Sequence, residues 1–132
     1  MPTKTPKPIK TLLVEDDPDL IDVAAGLLEL AGCEVTPVYT PEEALDSLTN
    51  SAVFELLFTD YRFPSLLTGI ELADKVKEIY PEIKVIIATG FDQQTIQTQA
   101  SEDYRVIYKP YRLEALKDLI EELFPIALPV TQ

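Results

Sequence analysis

Four short, mostly apolar runs, each bounded by polar residues, constrain the fold of this chain more than any other feature. They occupy residues 11–14, 54–58, 85–88 and 106–108. Runs of this length with polar ends are typical of strands that are buried on both faces of a parallel sheet. Segments with helical periodicity separate them along the chain. This alternation predicts an α/β fold with a parallel sheet, right-handed crossovers and helices on both faces.

The first predicted helix has clear signals at both ends. Asp17 is expected to cap its N-terminus, Pro18 suits the first helical position, and Gly32 is expected to close it. It follows a first strand predicted over 9–14. Its expected buried stripe consists of Leu20, Ala24, Leu27, Leu28 and Ala31.

The later elements are predicted from capping boxes, periodicity and proline. Capping boxes at 40–43 and 68–71 open two helices, and Ile79 is expected to face inward from the second of them. The segment 92–101 has few apolar residues, so its helix should be the least stable of the fold. The remaining expected elements are strands over 34–38, 54–58, 83–88 and 104–108 and a last helix over 112–124.

Composition fits one domain and excludes several classes of function. The chain has 132 residues, of which 46% are hydrophobic, and this suffices for one core. Its net charge of −12 argues against nucleic-acid or anionic-membrane binding. The absence of histidine and the single cysteine, Cys33, argue against zinc sites and against Ser-His or Cys-His catalysis. The sequence shows no disulfide framework, no signal peptide and no apolar run long enough to span a membrane. We therefore expect a cytoplasmic protein.

The chain is expected to divide into three segments. Residues 1–8 are expected to form a flexible leader, residues 9–124 the folded domain, and residues 125–132 a C-terminal tail or linker stub. The tail contains two prolines and shows no periodicity, so no further helix or strand is predicted there.

Carboxylates stand at the ends of two predicted strands. Glu15, Asp16 and Asp17 directly follow the first strand, and Asp60 follows the third. Because ligands of open α/β sheets bind beyond the carboxyl ends of the strands, we expect these groups to converge. Helix capping explains Asp17, but the mutual repulsion of adjacent carboxylates is best relieved by a cation, and Mg²⁺ prefers oxygen ligands. Asp60 is either a turn residue or a nucleophile that attacks phosphorus.

A hydroxyl and an ammonium group follow the fourth and fifth strands. Thr89 suits a strand because it is β-branched, but with Gly90 behind it the hydroxyl could approach a phosphoryl oxygen. Lys109 is either a surface lysine or a point charge on such an oxygen. Pro110 makes the preceding peptide bond a candidate cis bond. Together these residues predict a sheet edge that binds a hard cation and accepts a phosphoryl group on an aspartate.

At these residues the chain resembles the receiver domain of two-component response regulators, the family of the single-domain chemotaxis regulator. The resemblance covers residues 9 to about 124. It implies a doubly wound, flavodoxin-like fold, with a five-stranded parallel sheet of order 2-1-3-4-5 and five helices in three layers. It also implies Mg²⁺, which Mn²⁺ could replace, bound by Glu15, Asp16, Asp60 and the backbone carbonyl of Arg62. The implied phospho-acceptor is Asp60, and the implied phosphoryl-binding residues are Thr89, Gly90 and Lys109.

The resemblance further implies partners and a signalling surface. The phosphoryl donor would be a histidine kinase or phosphotransfer protein, and hydrolysis would be aided by the domain itself, without an external substrate. The signal would reach a downstream protein through the predicted fourth helix, fifth strand and last helix, where Tyr104, Val106 and Tyr108 alternate onto one face. We expect a monomer or a weak homodimer that binds neither nucleic acid nor membrane.

Two details depart from the commonest pattern, and two other functions stay open. The loop 60–69 is one residue longer than in many free-standing regulators and resembles that of receivers in hybrid sensor kinases. Val106 stands where many receivers have a switching aromatic residue. The alternatives are a constitutive interaction module and a Mg²⁺-dependent phosphohydrolase. The second alternative is disfavoured because Arg62 occupies the position of the second aspartate of haloacid-dehalogenase-type phosphatases.

Overall fold

The computed structural model describes residues 7–49, 53–90 and 103–125. Over these ranges the chain forms one sheet of five parallel strands in the order β2-β1-β3-β4-β5. The strands are β1 (Ile9–Val14), β2 (Cys33–Val38), β3 (Leu56–Asp60), β4 (Lys84–Thr89) and β5 (Arg105–Tyr108). The predicted fold class and strand order are confirmed.

Four helices lie within the described ranges; three of them connect strands and the last follows β5. They are α1 (Pro18–Leu30), α2 (Pro41–Thr49), α3 (Gly69–Ile79) and α4 (Leu113–Leu123). The weak helix predicted over 92–101 lies outside the described residues. The same holds for residues 1–6 of the predicted leader and residues 126–132 of the predicted tail.

The sheet is covered on both faces, and this creates two cores. One core joins Leu12 and Leu57 of the sheet to α2 and α3, and the other joins Leu13 and Phe58 to α1 and α4. Neighbouring residues of a strand belong to different cores because successive side chains point to opposite faces. The continuous apolar runs of the sequence are therefore explained by burial on both sides.

The caps of the helices determine how the chain leaves each strand. The Asp17 carboxylate accepts hydrogen bonds from the backbone N–H groups of Asp19 and Leu20, at 2.9 and 3.3 Å. This satisfies two N–H groups that lack partners in the first turn of α1. Gly32 follows α1 with a φ of 101°, a left-handed conformation that favours glycine. Both ends of α1 thus form as predicted.

The capping box predicted at 40–43 forms in an altered way. The hydroxyl of Thr40 accepts a hydrogen bond from the backbone N–H of Glu43 at 3.0 Å, as predicted. The carboxylate of Glu43, however, accepts from the N–H of Tyr39 rather than from that of Thr40. The box still satisfies N–H groups at the start of α2, but it reaches one residue further back.

Two predicted inward positions are wrong. Leu20 is 45% exposed and Ile79 is 49% exposed, while Ile21 and Ile70 are buried. In α1 the buried residues Ile21, Ala24 and Leu28 recur at intervals of three and four, so Leu20 lies beside the stripe. Ile79 is the last residue of α3, where the chain turns towards β4.

β3 lies two residues later than predicted. The apolar run suggested 54–58, but all five residues of Leu56–Asp60 are buried, and Asp60 pairs with Ala88 of β4. The N–H of Lys10 donates to the Glu55 carboxylate at 2.9 Å before the strand begins. Because hydrogen bonding to β4 continues through polar residues, apolar content alone does not mark the end of β3. Asp60 is therefore the last residue of the strand rather than part of the following loop.

Gly69 closes the loop between β3 and α3 against the backbone of Asp60. Its N–H donates to the carbonyl of Tyr61 at 2.7 Å. A Cβ atom at this position would lie 2.0 Å from the carbonyl oxygen of Asp60. The Thr68 and Glu71 capping box forms as predicted, at 3.2 and 2.9 Å. The requirement for glycine was missed, although glycine in the first turn of a helix is a signal because helix propensity disfavours it.

We expect Gly69→Ala to destabilise the domain by about 1–3 kcal/mol, because the added methyl group forces two backbone segments apart. Urea denaturation measures this change. Gly26→Ala is the matched control, since a Cβ there meets nothing within 4 Å and α1 should gain about 0.5–1 kcal/mol. Equal stability of the two variants would contradict the close approach at Gly69.

Candidate functional site

Three carboxylates converge at the carboxyl edge of the sheet. One carboxylate oxygen from each of Glu15, Asp16 and Asp60 lies within 4.8 Å of the other two. Glu15 and Asp60 are buried and Asp16 is exposed. The convergence follows from the sheet order, because β1 and β3 are neighbours and Val14 pairs with Thr59. The structure thus brings together the three side chains that the sequence predicts as cation ligands.

Lys109 supplies a positive charge to this cluster. Its Nζ forms an ion pair with Oδ1 of Asp60 and lies 3.4 Å from Oε1 of Glu15. The N–H of Lys109 donates to the carbonyl of Thr89 at 2.9 Å, and the Lys109–Pro110 peptide bond is cis. Since β4 separates β5 from β3, at about 4.8 Å per strand, only a long side chain from the end of β5 can reach Asp60.

Burial dominates the electrostatics of Asp60. Its side chain is removed from water, which raises its pKa to about 7. The hydrogen bond from Lys109 opposes this rise, and the negative charge of Glu15 adds to it. For Lys109, burial lowers the pKa, but the hydrogen bond and charge of Asp60 outweigh burial, so that the net shift is upward. One ammonium group therefore faces three carboxylates, and this excess of negative charge attracts a cation.

The other predicted site residues lie around this cluster. Thr89 is the buried last residue of β4, and Gly90 follows it at an exposed position. Arg62 is exposed in the loop after β3, and its guanidinium group lies 5.9 Å from the centre of the Tyr61 ring. A cation above an aromatic ring is a favourable arrangement. The side chain of Arg62 thus contacts Tyr61, while the metal role of its backbone carbonyl stays a prediction.

Val106 and Tyr108 of the predicted signalling face lie in β5, and Tyr104 directly precedes the strand, which begins one residue later than predicted. Tyr104 and Val106 pack into the same core, while Ile107 packs into the other one. The Tyr104 hydroxyl donates a hydrogen bond to Oδ1 of Asp74 in α3 at 2.6 Å. Burial, followed by this bond, raises the pKa of Tyr104. The Tyr104–Asp74 contact was missed because the two residues lie 30 positions apart and no local pattern joins them.

An apolar cavity opens beside the acidic cluster. It has a volume of about 410 Å³ and is lined by Leu20 and Val23 of α1 and by Glu15, Lys109 and Tyr111. The Tyr111 pKa is raised to about 12 by burial and then by the charges of Glu15 and Asp60. Exposed apolar side chains next to a charged site are typical of protein interaction surfaces. The sequence prediction missed this cavity because it placed Leu20 in the core.

Comparison with known proteins identifies a family. Residues 11–121 match the response regulator receiver domain family. The chain is 35% identical over 116 residues to the response regulator receiver protein CpdR of Brucella abortus, and the match covers 86% of this chain and 95% of CpdR. It is 33% identical over 115 residues to the response regulator protein FleR of Pseudomonas aeruginosa, covering 84% of this chain and 24% of FleR. The match to the sensor protein TorS of Escherichia coli is 29% identical and covers 12% of TorS.

Solved structures show the same fold. A response regulator receiver protein from Sinorhizobium medicae has a TM-score of 0.81 at 24% identity, covering 89% of this chain and 94% of the other. The chemotaxis response regulator CheY4 of Vibrio cholerae has a TM-score of 0.74 at 22% identity, covering 89% and 99%. At these identities the likeness concerns the fold alone.

Two properties of the family bear on the site. Receiver domains bind Mg²⁺ through an acidic cluster, and the oxygen donors of Glu15, Asp16 and Asp60 fit such an ion. Receiver domains of two-component systems interact with histidine kinases or phosphotransfer proteins. In the described part of the chain, none of the helices combines the length and the apolar character needed to cross a membrane. The match over residues 11–121, the strand order and the acidic cluster agree, and the chain belongs to the response regulator receiver domain family of two-component signalling.

Proposed function

We propose that Asp60 accepts a phosphoryl group from the phosphohistidine of a histidine kinase or phosphotransfer protein. The observation that carries this proposal is the convergence of three carboxylates around Lys109, which pairs with both Asp60 and Glu15. Helix capping explains neither Asp16 nor Asp60, because Asp17 caps α1, and Glu15 accepts only the backbone N–H of Asp17 there. Their arrangement instead suits a cation and an incoming phosphoryl group.

The proposed transfer exchanges one bond to phosphorus for another. An ionised oxygen of Asp60 attacks phosphorus, and a P–O bond forms while the P–N bond to the imidazole breaks. The electron pair of the P–N bond stays on the imidazole nitrogen, which takes up a proton from water. Lys109, now paired with Asp60, would then pair with a phosphoryl oxygen and offset its charge. The hydroxyl of Thr89 would donate to another phosphoryl oxygen, with Gly90 leaving room for it.

We propose that Glu15, Asp16, Asp60 and the backbone carbonyl of Arg62 hold Mg²⁺, and that Mn²⁺ could take its place. The donors are hard oxygen atoms, and the exposure of Asp16 leaves access for the waters that Mg²⁺ retains. When bound, the ion would neutralise charge on the phosphoryl oxygens. The chain's own contribution is to hold the carboxylates together and to supply the ammonium group of Lys109.

We also propose that the domain acts on no external substrate and works in the cytoplasm. Asp60 is only 8% exposed, so its carboxylate is accessible to a small group presented by a donor rather than to a large substrate. The exposed apolar residues Leu20 and Val23, which line the cavity next to Lys109, offer a contact surface for that donor protein. Hydrolysis of the acyl phosphate would then return the domain to its starting state.

The signal would leave through β5, α4 and the segment 91–102, which lies outside the described residues. Thr89 and Lys109 are joined by a backbone hydrogen bond of 2.9 Å, so a displacement of Thr89 acts on the end of β5. Val106 provides no aromatic ring in the core, and Tyr104 and Tyr108 are the tyrosines of this strand face. A charge at Asp60 would therefore bias the position of β5 and its neighbours.

Incubation with acetyl phosphate and Mg²⁺ is expected to add one phosphoryl group to the chain, as measured by intact-mass spectrometry. Carbamoyl phosphate should serve as a second small donor. Asp60→Asn should abolish the adduct because an amide is a poor nucleophile. Asp46→Asn, which alters an exposed carboxylate of α2, is the matched control and should be modified like the unaltered chain.

One result of this experiment, and one of a separate turnover assay, would contradict the proposal. Lack of an adduct despite confirmed Mg²⁺ binding would favour a constitutive interaction module. Repeated turnover of p-nitrophenyl phosphate, lost in Asp60→Asn, would favour a phosphohydrolase. Only an adduct that depends on both Mg²⁺ and Asp60 supports the receiver chemistry.

The raised pKa of Asp60 predicts how stability changes with pH without metal. The pKa is about 7 when folded and near 3.8 when unfolded, so the folded chain binds the proton more tightly. This contribution is complete below pH ~4 and is lost as the pH rises to about 7, with a loss of up to ~4 kcal/mol. The asparagine of Asp60→Asn cannot ionise. The free energy of unfolding of this variant, relative to that of the unaltered chain, should therefore increase as the pH rises from about 4 to about 7. Urea denaturation in EDTA at several pH values measures the difference, and a constant difference would refute the prediction.

Hydrogen–deuterium exchange tests the proposed signalling face. Phosphorylation by acetyl phosphate is expected to change amide protection within 92–108, because Thr89 and Lys109 both border this region. Peptides from α2 provide the internal control and should keep their protection. Unchanged exchange across 92–108 in a fully phosphorylated sample would contradict the proposed route of the signal.

A further inference from the structure

An apolar groove lies at the amino ends of β3 and β4, at the opposite end of the strands from Asp60. It encloses about 420 Å³. Val53 and Phe54 before β3, Ile79 and Tyr80 at the end of α3, and Phe124 after α4 line it. Val53 is 69% exposed, and Ile79 is also exposed, at 49%. A large exposed apolar surface of this kind is characteristic of a binding site.

The chain itself continues from the wall of this groove. Phe124 lines the groove, and Pro125 is the last residue described before 126–132. Those residues read Ile-Ala-Leu-Pro-Val-Thr-Gln and contain no charged side chain, although 26% of the whole chain is charged. Seven extended residues span up to about 25 Å, and neighbouring strands are only about 4.8 Å apart. Because Phe124 and Val53 line one groove of about 420 Å³, the segment is long enough to reach from one to the other.

The charge of the groove favours this segment over others. Glu55 and Glu82 line the groove together with the apolar residues. Like charges repel, so an acidic segment would be disfavoured there, and 126–132 has no acidic side chain. The six N-terminal residues read Met-Pro-Thr-Lys-Thr-Pro and offer few apolar side chains beside a lysine. They can cover less apolar surface than the C-terminal segment.

Proline also suits the C-terminal segment to an open groove. Pro129 restricts Leu128 to extended backbone, and a proline has no N–H group that needs a partner. An extended chain presents alternate side chains to opposite sides, so an extended segment would place Ile126 and Leu128 on the same side.

We propose that residues 126–132 dock in this groove, with Ile126 and Leu128 covering Val53 and Ile79. The interaction is intramolecular and lies at the opposite end of the sheet from the acidic cluster. It goes beyond the proposed phosphoryl transfer and does not depend on it. Phosphorylation of Leu128→Asp should equal that of the unaltered chain, so failure of either proposal can be recognised separately.

Thermal unfolding of two tail variants provides the first test. Leu128→Asp places a charge against the apolar groove and is expected to lower the melting temperature by about 3–6 °C. Thr131→Asp adds the same charge at a polar position and should change the melting temperature by less than about 1 °C. Leu128→Asp should lower the melting temperature less in a Val53→Ser background than in the unaltered chain. The reason is that both substitutions remove the same contact, between residue 128 and residue 53. Equal effects of the two tail variants, or full additivity with Val53→Ser, would overturn the proposal.

A spin label provides the second test, because it reports position rather than stability. Thr131→Cys is labelled in a Cys33→Ala background, and amide signals are recorded by NMR. Signals of Val53, Glu55 and Glu82 should lose most of their intensity, whereas that of Arg62 at the acidic end should not. Unchanged intensities at the groove would overturn the proposal. Broadening seen only when labelled and unlabelled chains are mixed would overturn it in favour of docking by a second copy.

Discussion

The ion pair between Lys109 and Asp60 is the interaction on which the arrangement of the site depends. Burial of an unpaired carboxylate costs free energy, and Lys109 reduces this cost by contacting both Asp60 and Glu15. The pairing requires the observed strand order, because the ammonium group must pass the end of β4 to reach β3. A one-residue shift in strand register would move every side chain of a strand to the other face and separate these charges.

The single positive charge of Lys109 does not balance the negative charges of the three carboxylates. In this respect the site differs from an ordinary structural ion pair. Three carboxylate oxygens lie within 4.8 Å of one another, and one lysine contacts two of the three residues. The apolar cores on both faces of the sheet stabilise the fold and keep the like charges together. The proposed cation and phosphoryl group would therefore meet a cluster that already exists, without reorganisation of the sheet.

Much of this architecture could be predicted from sequence because its causes are local. Apolar runs locate the strands, and the capping residues Asp17 and Thr68 locate helix starts within one residue. The convergence of acids follows from the geometry of parallel sheets. The end of β3 could not be predicted, because hydrogen bonding to β4 decides it. The close approach of Gly69 to Asp60 depends on how the loop folds back, and this too is not a local property.

The end of β5 shows how tightly the site is linked to the rest of the domain. Thr89 pairs with Tyr108 in the sheet, and the N–H of Lys109 donates to the Thr89 carbonyl. The two residues proposed to contact a phosphoryl group are thus joined through their backbones. Since Val106 is a compact aliphatic residue within the core, a large ring rotation is not available at its position. Thr89 is thus tied to the backbone of β5, and the Tyr104–Asp74 hydrogen bond joins the residue before this strand to α3.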